Sequence, residues 1–139
     1  MPMGRLRKSA VTLGFYGDNL DPDEVTTLLQ VQPTVGVAKG GRWQTSLGAE
    51  KVAHTGSWRI EAVPCEPEDL SSQVDALLAP TTSDLSVWRA LTARFRGVIF
   101  CGLWLDTYND GLELSPQVLA AIAERGLTLS FDIYESDQV

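Results

Sequence analysis

One signature occurs twice in this chain, once near each end, and it constrains the fold more than any other feature. Leu20-Asp21-Pro22-Asp23-Glu24-Val25 follows the apolar run Val11 to Tyr16, and Leu114-Ser115-Pro116-Gln117-Val118-Leu119 follows the run Val98 to Leu105. In each, a strand-like segment gives way to an N-cap residue (Asp21, Ser115), a proline at the first helical position and an amphipathic stretch. The Asp or Ser side chain satisfies an amide that the first helical turn leaves free, and proline has no amide to leave unsatisfied there. The chain therefore reads as two related strand-to-helix halves packed into one small domain.

The segments between these landmarks follow from periodicity. Val11, Leu13 and Phe15 alternate with Thr12, Gly14 and Tyr16, as in a half-buried strand. Asp21 with Glu24 three residues later predicts a capping box, and the helix must stop before Pro33. Pro33 to Gly56 is glycine-rich and locally basic, with Lys39, Arg42, Lys51 and His54, and reads as the longest irregular stretch. Ser57 to Val63 alternates again; either Trp58, Ile60 and Ala62 or their neighbours Arg59 and Glu61 face the core. Asp69 opens a helix bearing Val74, Leu77 and Leu78, and beyond Pro80 a second helix carries Leu85, Trp88, Leu91 and Phe95. Val98 to Asp106 is the strongest strand, Asn109-Asp110-Gly111 has hairpin-turn chemistry leading into Gly111 to Leu114, and Ser115 to Arg125 is a helix closed by Gly126. Leu127 to Glu135 is the last strand.

The order β-α-β-α-α-β-β-α-β, with an Asp-Gly hairpin that demands an antiparallel pair, predicts an α+β fold. It is a two-layer sandwich with an antiparallel or mixed sheet, helices on one face and two pseudo-repeated strand-helix units, related to the ferredoxin-like arrangement. Residues 1–9 read as a flexible basic tail and 10–136 as a single domain. With Val11, Leu13, Phe15, Ile99, Cys101, Leu103 and the matching residues of the last strand turned to the helices, the opposite sheet face collects Thr12, Tyr16, Phe100, Trp104, Asp106, Asp132 and Tyr134. That face is aromatic and polar together.

Composition narrows function by exclusion. The formal charge is -7, and three of the eleven basic residues are Arg5, Arg7 and Lys8, so the body is strongly acidic and repels phosphate backbones. No nucleic-acid partner is expected. The apolar stretch after the basic N-terminus is short, glycine-broken and followed by acids, which predicts no signal peptide, no membrane span and a cytoplasmic location. Cys65 and Cys101 lie far apart outside any CxxC pattern and read as reduced thiols.

Taken in order, Gly17-Asp18-x-Leu20-Asp21-Pro22-Asp23-Glu24-Val25-Thr26-x-x-Leu29-x-Val31-x-Pro33, Lys39-Gly40, Thr55-Gly56-x-Trp58, Glu113-Leu114-Ser115-Pro116 and Phe131-Asp132-Ile133-Tyr134 resemble a bacterial family described as a domain of unknown function. The resemblance spans about Val11 to Glu135. It implies a small, stand-alone bacterial protein and carries no activity, cofactor or catalytic residue to transfer.

The chemistry-bearing residues point the same way. His54 is the single histidine, and neither cysteine sits in a nucleophile motif, so no catalytic residue is assigned. Transition-metal ligands are too few, and Asp106, Asn109 and Asp110 lack the ligand pattern of a calcium loop, so neither metal nor cofactor is expected. Gly36 to Trp43 exposes glycine amides beside Lys39 and Arg42 but lacks the ending of a phosphate loop and a following helix. Glu61, Asp106 and Asp132 would make an acid-base set only if their strands converged. Trp43 and Trp104 are the tryptophans placed for contact, and the candidate ligand or partner contacts are these two with Tyr16, Asp18, Lys39, Arg42, His54, Arg59, Glu61, Asp106, Asp132 and Tyr134. The leading expectation is a non-catalytic protein-binding module, of an acidic immunity-type or regulatory kind, docking through the open sheet face bordered by the 33–56 loop. The alternatives are a small-molecule-binding or hydrolytic site under that loop, using His54, Asp106, Asp132 or Glu61, and a homodimer through the open face or an exposed strand edge.

Overall fold

The computed structural model describes residues 4–135. Among these residues nine strands and four helices follow in the order β1 (Gly4–Arg5), β2 (Lys8–Gly17), α1 (Pro22–Leu29), β3 (Val35–Val37), β4 (Arg42–Gln44), β5 (Glu50–Val52), β6 (Gly56–Glu61), α2 (Leu70–Leu78), α3 (Leu85–Arg94), β7 (Arg96–Trp104), β8 (Asp110–Gly111), α4 (Pro116–Glu124) and β9 (Thr128–Tyr134). The main sheet has the order β3-β6-β2-β7-β9; β2 is antiparallel to both β6 and β7, whereas β7 and β9 are parallel. This is the expected α+β sandwich with a mixed sheet.

Its two halves are related by connection. In the second, β7-α4-β9 joins adjacent parallel strands through one helix. In the first, α1 leads from β2 to β3, and because β6 is antiparallel to both, β2 and β3 run parallel with β6 inserted between them. The repeat seen in the sequence is thus a simple β-α-β unit facing a split one.

All four helices cover one face. Val25 and Leu29 of α1, Val74 and Leu77 of α2, Trp88 and Leu91 of α3, and Val118 and Ile122 of α4 share one core with Val11, Leu13, Phe15, Trp58, Ile99, Cys101 and Leu103 of the sheet. The ambiguous strand is settled by pairing: Trp58 lies opposite Phe15 and is fully buried, its indole N–H donating to Thr26 Oγ1 at 3.0 Å, so Arg59 and Glu61 face the open side. The predicted caps hold at Asp21, which accepts from the Asp23 amide at 3.0 Å, and at Ser115, which accepts from the Val118 amide at 3.2 Å. The capping box does not close, because Glu24 turns to a bidentate pair with Arg94 at 2.8 and 3.1 Å.

Three further expectations are corrected. Residues 4–9 are not a tail: β1 pairs with β8, Leu6 is buried at 3% exposure, and Ser9 exchanges backbone hydrogen bonds of 3.0 Å in both directions with Cys65. Residues 1–3 and 136 lie outside the described part. Asn109-Asp110-Gly111 does not turn a hairpin onto β7; the Asp110 carboxylate accepts the amides of Asp106 (2.7 Å) and Thr107 (2.8 Å), and β8 leaves to pair in parallel with β1. The 33–56 stretch is not irregular, since it supplies the edge strand β3 and the β4-β5 hairpin.

Candidate functional site

The uncovered sheet face is built from alternate residues of four strands. Cross-strand register sets Tyr16 opposite Ser57 and Arg96, Gly14 opposite Arg59 and Val98, Thr12 opposite Glu61 and Phe100, and Lys8 opposite Trp104, which pairs in turn with Tyr134. Two glycines shape the aromatic part. A Cβ on Gly14 would lie 2.5 Å from the Tyr16 hydroxyl oxygen, and one on Gly102 would lie 3.1 Å from the Trp104 ring. Each ring therefore folds back flat over the glycine two residues before it on its own strand. The Gly-x-aromatic triplets Gly14-Phe15-Tyr16 and Gly102-Leu103-Trp104, one in each central strand, are the sequence signal that the periodicity reading passed over.

At one corner, Trp104 and Tyr134 stack with ring centroids 4.9 Å apart, and the Lys8 ammonium lies 4.8 Å from the Trp104 ring. The Tyr134 hydroxyl donates to Asp132 at 3.3 Å. Phe100, 36% exposed, occupies the middle of the face. Burial of the Tyr16 ring pushes its hydroxyl pKa above the ordinary tyrosine value, with Arg59 and Arg96 pulling the other way, so its O–H remains a neutral donor.

The β4-β5 hairpin leans over the far end of this face. Trp43 packs under Arg59, whose guanidinium carbon lies 5.4 Å from the ring centroid. On one side of that contact is a cleft of about 400 Å³ lined by Tyr16, Trp43, Lys51, His54, Ser57 and Arg59. On the other is one of about 440 Å³ lined by Thr34, Val35, Trp43, Gln44, Arg59 and Glu61. Arg59 Nε is buried without a hydrogen-bond partner, and the exposed His54 imidazole has none among the described residues.

The candidate residues therefore divide. Tyr16, Trp43, His54 and Arg59 converge on one cleft, with Glu61 in its neighbour, and Trp104, Asp132 and Tyr134 form the opposite corner. Asp18 and Lys39 are engaged with each other at 3.2 Å, and Arg42 pairs with Glu50 at 3.0 Å across the hairpin, so two of the cations of the glycine-rich stretch are taken up in ion pairs and Lys51 is left to line the cleft. Hydrogen bonding from Thr55 and from Lys39 holds the Asp18 carboxyl below the usual carboxylate range. Asp106 sits in the turn beyond β7, away from the face.

The acid set Glu61, Asp106 and Asp132 is not brought together. Glu61 is on β6 and Asp132 on β9, three strand spacings apart or about 14 Å. Cys101 is fully buried, and burial pushes its thiol up to about 12. Among the described residues no group of three or more His, Cys, Asp or Glu is arranged to hold a metal ion, and no helix is long and apolar enough to cross a membrane. A further groove of about 450 Å³, unseen in the sequence, runs between the end of β6 and α2 on the helical side, lined by Ile60, Ala62, Val63, Cys65, Ala76 and Leu77.

A family model described as "Domain of unknown function (DUF4279)" matches residues 7–136 of the chain. No curated protein and no solved structure gives a significant match.

Proposed function

This chain belongs to the DUF4279 family, a domain of unknown function, and we propose that it is a non-catalytic protein-binding module whose contact surface is the open face of its main sheet. The observation that carries the reading is the aromatic platform of Tyr16, Phe100, Trp104 and Tyr134, set on rigid strands and bordered by Lys8, Arg59, Glu61, Arg96 and Asp132. Aromatic side chains in the centre and charge at the rim are the anatomy of a protein interface. Flat rings held against glycine backbone lose little conformational freedom on contact, which favours association.

Charge distribution refines the kind of partner. The acids of the chain lie largely on α1, the approach to α2 and the turns, whereas the platform carries four cations, Lys8, Lys51, Arg59 and Arg96, against Glu61 and Asp132. A regulatory or immunity-type role through this face therefore suits a partner presenting apolar and acidic groups together, not a uniformly basic one.

The test uses the purified protein as bait in clarified lysate of its host, with mass measured by light scattering after size exclusion. A stoichiometric heteromer with wild type that is lost with Phe100→Asp, at an unchanged melting temperature, supports the reading. Absence of a heteromer, or one indifferent to Phe100→Asp, overturns it.

A small-molecule site under the hairpin is the second reading, favoured by the unpartnered Arg59 Nε beside Trp43. It predicts ligand-dependent quenching of Trp43 fluorescence that is abolished by Arg59→Met and unaffected by Phe100→Asp.

A further inference from the structure

The two edges of the main sheet are protected unequally. β3, at one edge, has only three residues, contains Gly36 and is preceded by Pro33. β9, at the other, has seven residues and contains no proline, lysine or glycine. Natural edges are normally blunted by shortness, bulges, proline or lysine, because unpaired N–H and C=O groups recruit another strand. β9 uses none of these.

The direction of its free groups follows from pairing. The Leu105 amide donates to the Tyr134 carbonyl at 3.0 Å, so Tyr134 points its backbone at β7, as do Asp132, Ser130 and Thr128 by alternation. Leu129, Phe131 and Ile133 therefore direct their N–H and C=O groups outward. These same three residues pair with Ile99, Cys101 and Leu103, which places their side chains on the helical side of the sheet. Phe131 is 42% and Ile133 63% exposed, and Leu119 of α4, the helix that packs on β9, is 46% exposed. Free backbone and exposed apolar surface thus coincide.

We infer that β9 is the interface of a two-fold homodimer, pairing antiparallel with β9 of a second copy about Phe131. The sequence Leu129-Ser130-Phe131-Asp132-Ile133 is self-complementary in that register. Phe131 meets Phe131, and Leu129 meets Ile133 in both directions; all three are hydrogen-bonded pairs because their backbone groups point outward, giving about six ladder bonds. On the open face Ser130 lies opposite Asp132, so no carboxylate faces its own copy. On the helical face the exposed Phe131, Ile133 and Leu119 of the two copies come together. The platform stays uncovered and becomes continuous across both copies, so this contact is independent of the face proposed for the partner. It also differs from a dimer formed face to face, which would cover Trp104 and Phe100.

Two measurements on the full chain test the assignment. Light scattering over a concentration series is expected to give about 30 kDa for wild type, against 15.1 kDa for one chain. Ile133→Lys and Phe131→Asp are expected to shift the midpoint of dissociation roughly tenfold or more toward higher concentration, while Phe100→Asp leaves it in place. Because an edge substitution can loosen β9 itself, amide hydrogen exchange of the unmutated protein is the second readout. The amides of Ser130 and Asp132, bonded to β7, are protected at every concentration; those of Leu129, Phe131 and Ile133 gain protection only as the protein dimerises. A monomer throughout the series, a dimer broken by Phe100→Asp and untouched by the two edge variants, or concentration-independent exchange at Phe131 overturns the inference.

Discussion

Gln73 is a buried amide that ties α2 to the start of β2, and its replacement by leucine, of nearly the same volume, isolates the polar part of that tie. Gln73 Nε2 donates to the carbonyls of Ser9 (3.0 Å) and Val63 (2.9 Å), and Ser9 Oγ donates to Gln73 Oε1 at 2.5 Å while accepting the Asp69 amide at 3.1 Å. Gln73 is 4% exposed and Ser9 fully buried. In Gln73→Leu the Ser9 carbonyl keeps its bond from the Cys65 amide, but the Ser9 hydroxyl hydrogen loses its acceptor inside the core. Stranding that donor costs about 1–3 kcal/mol, and the lost bond to the exposed Val63 adds about 1 kcal/mol net. The expected loss is about 2–4 kcal/mol, a fall in melting temperature of roughly 6–12 °C for a domain of this size. Ser9→Ala alone is expected to cost about 1–2 kcal/mol. The double variant removes the stranded hydroxyl along with its acceptor, so it is expected to be more stable than the sum of the singles predicts by about 1–2 kcal/mol. Urea unfolding followed by the fluorescence of the buried Trp58 and Trp88 measures all four corners of the cycle. Additivity to within about 0.5 kcal/mol, or a neutral Gln73→Leu, would refute the argument.

Gly14→Ala places a methyl group where the Tyr16 ring lies; the ring must swing away, which is expected to cost about 1–3 kcal/mol and to weaken any complex formed on the platform far more than that stability loss explains, as read by a titration against the captured partner. In the native protein a thiol reagent is expected to label the half-buried Cys65 and spare Cys101, both reacting after unfolding. The Cys101 thiol, held up to about 12, contributes stability that is complete below its unfolded value near 9 and is lost as pH rises toward 12; Tyr16 acts in the same direction, and Cys101→Ala should flatten the alkaline limb of the urea midpoint. Asp18, Glu24, Asp84 and Asp110 are all held below their ordinary values, chiefly by hydrogen bonds from Thr55, Arg94, Ser86 and Thr107 respectively. Their contribution is therefore complete above about pH 5 and falls away as pH drops through those depressed values, and an acid titration of the urea midpoint that stayed flat below pH 4 would contradict it.

What the chain determined by itself was local. Asp21-Pro22 and Ser115-Pro116 start helices because capping and proline geometry act within one turn, and the alternation in Val11–Phe15 and Ile99–Leu103 selects the core face because the pleat has a period of two. Those rules placed the helices, the central strands and the aromatic open face, and with them Trp104 and Tyr134 on that face, whereas the side taken by Arg59 waited on the pairing of Trp58 with Phe15. Tertiary structure decided what depends on a partner distant in sequence. Val35–Val37 is a strand because Ser57–Arg59 offers it an edge; Leu6 and Ser9 are buried because Glu68, Cys65 and Gln73 meet them; and Asp110 is an acceptor for Asp106 and Thr107 instead of a hairpin turn because β8 pairs with β1. Glu61 and Asp132 are equally plausible neighbours in a sequence, and the strand order β6-β2-β7-β9 separates them. That order also leaves β9 as a free edge. Strand order is fixed by which pairings bury the most surface for the loop entropy they cost, a comparison made over the whole chain and carried by no single segment.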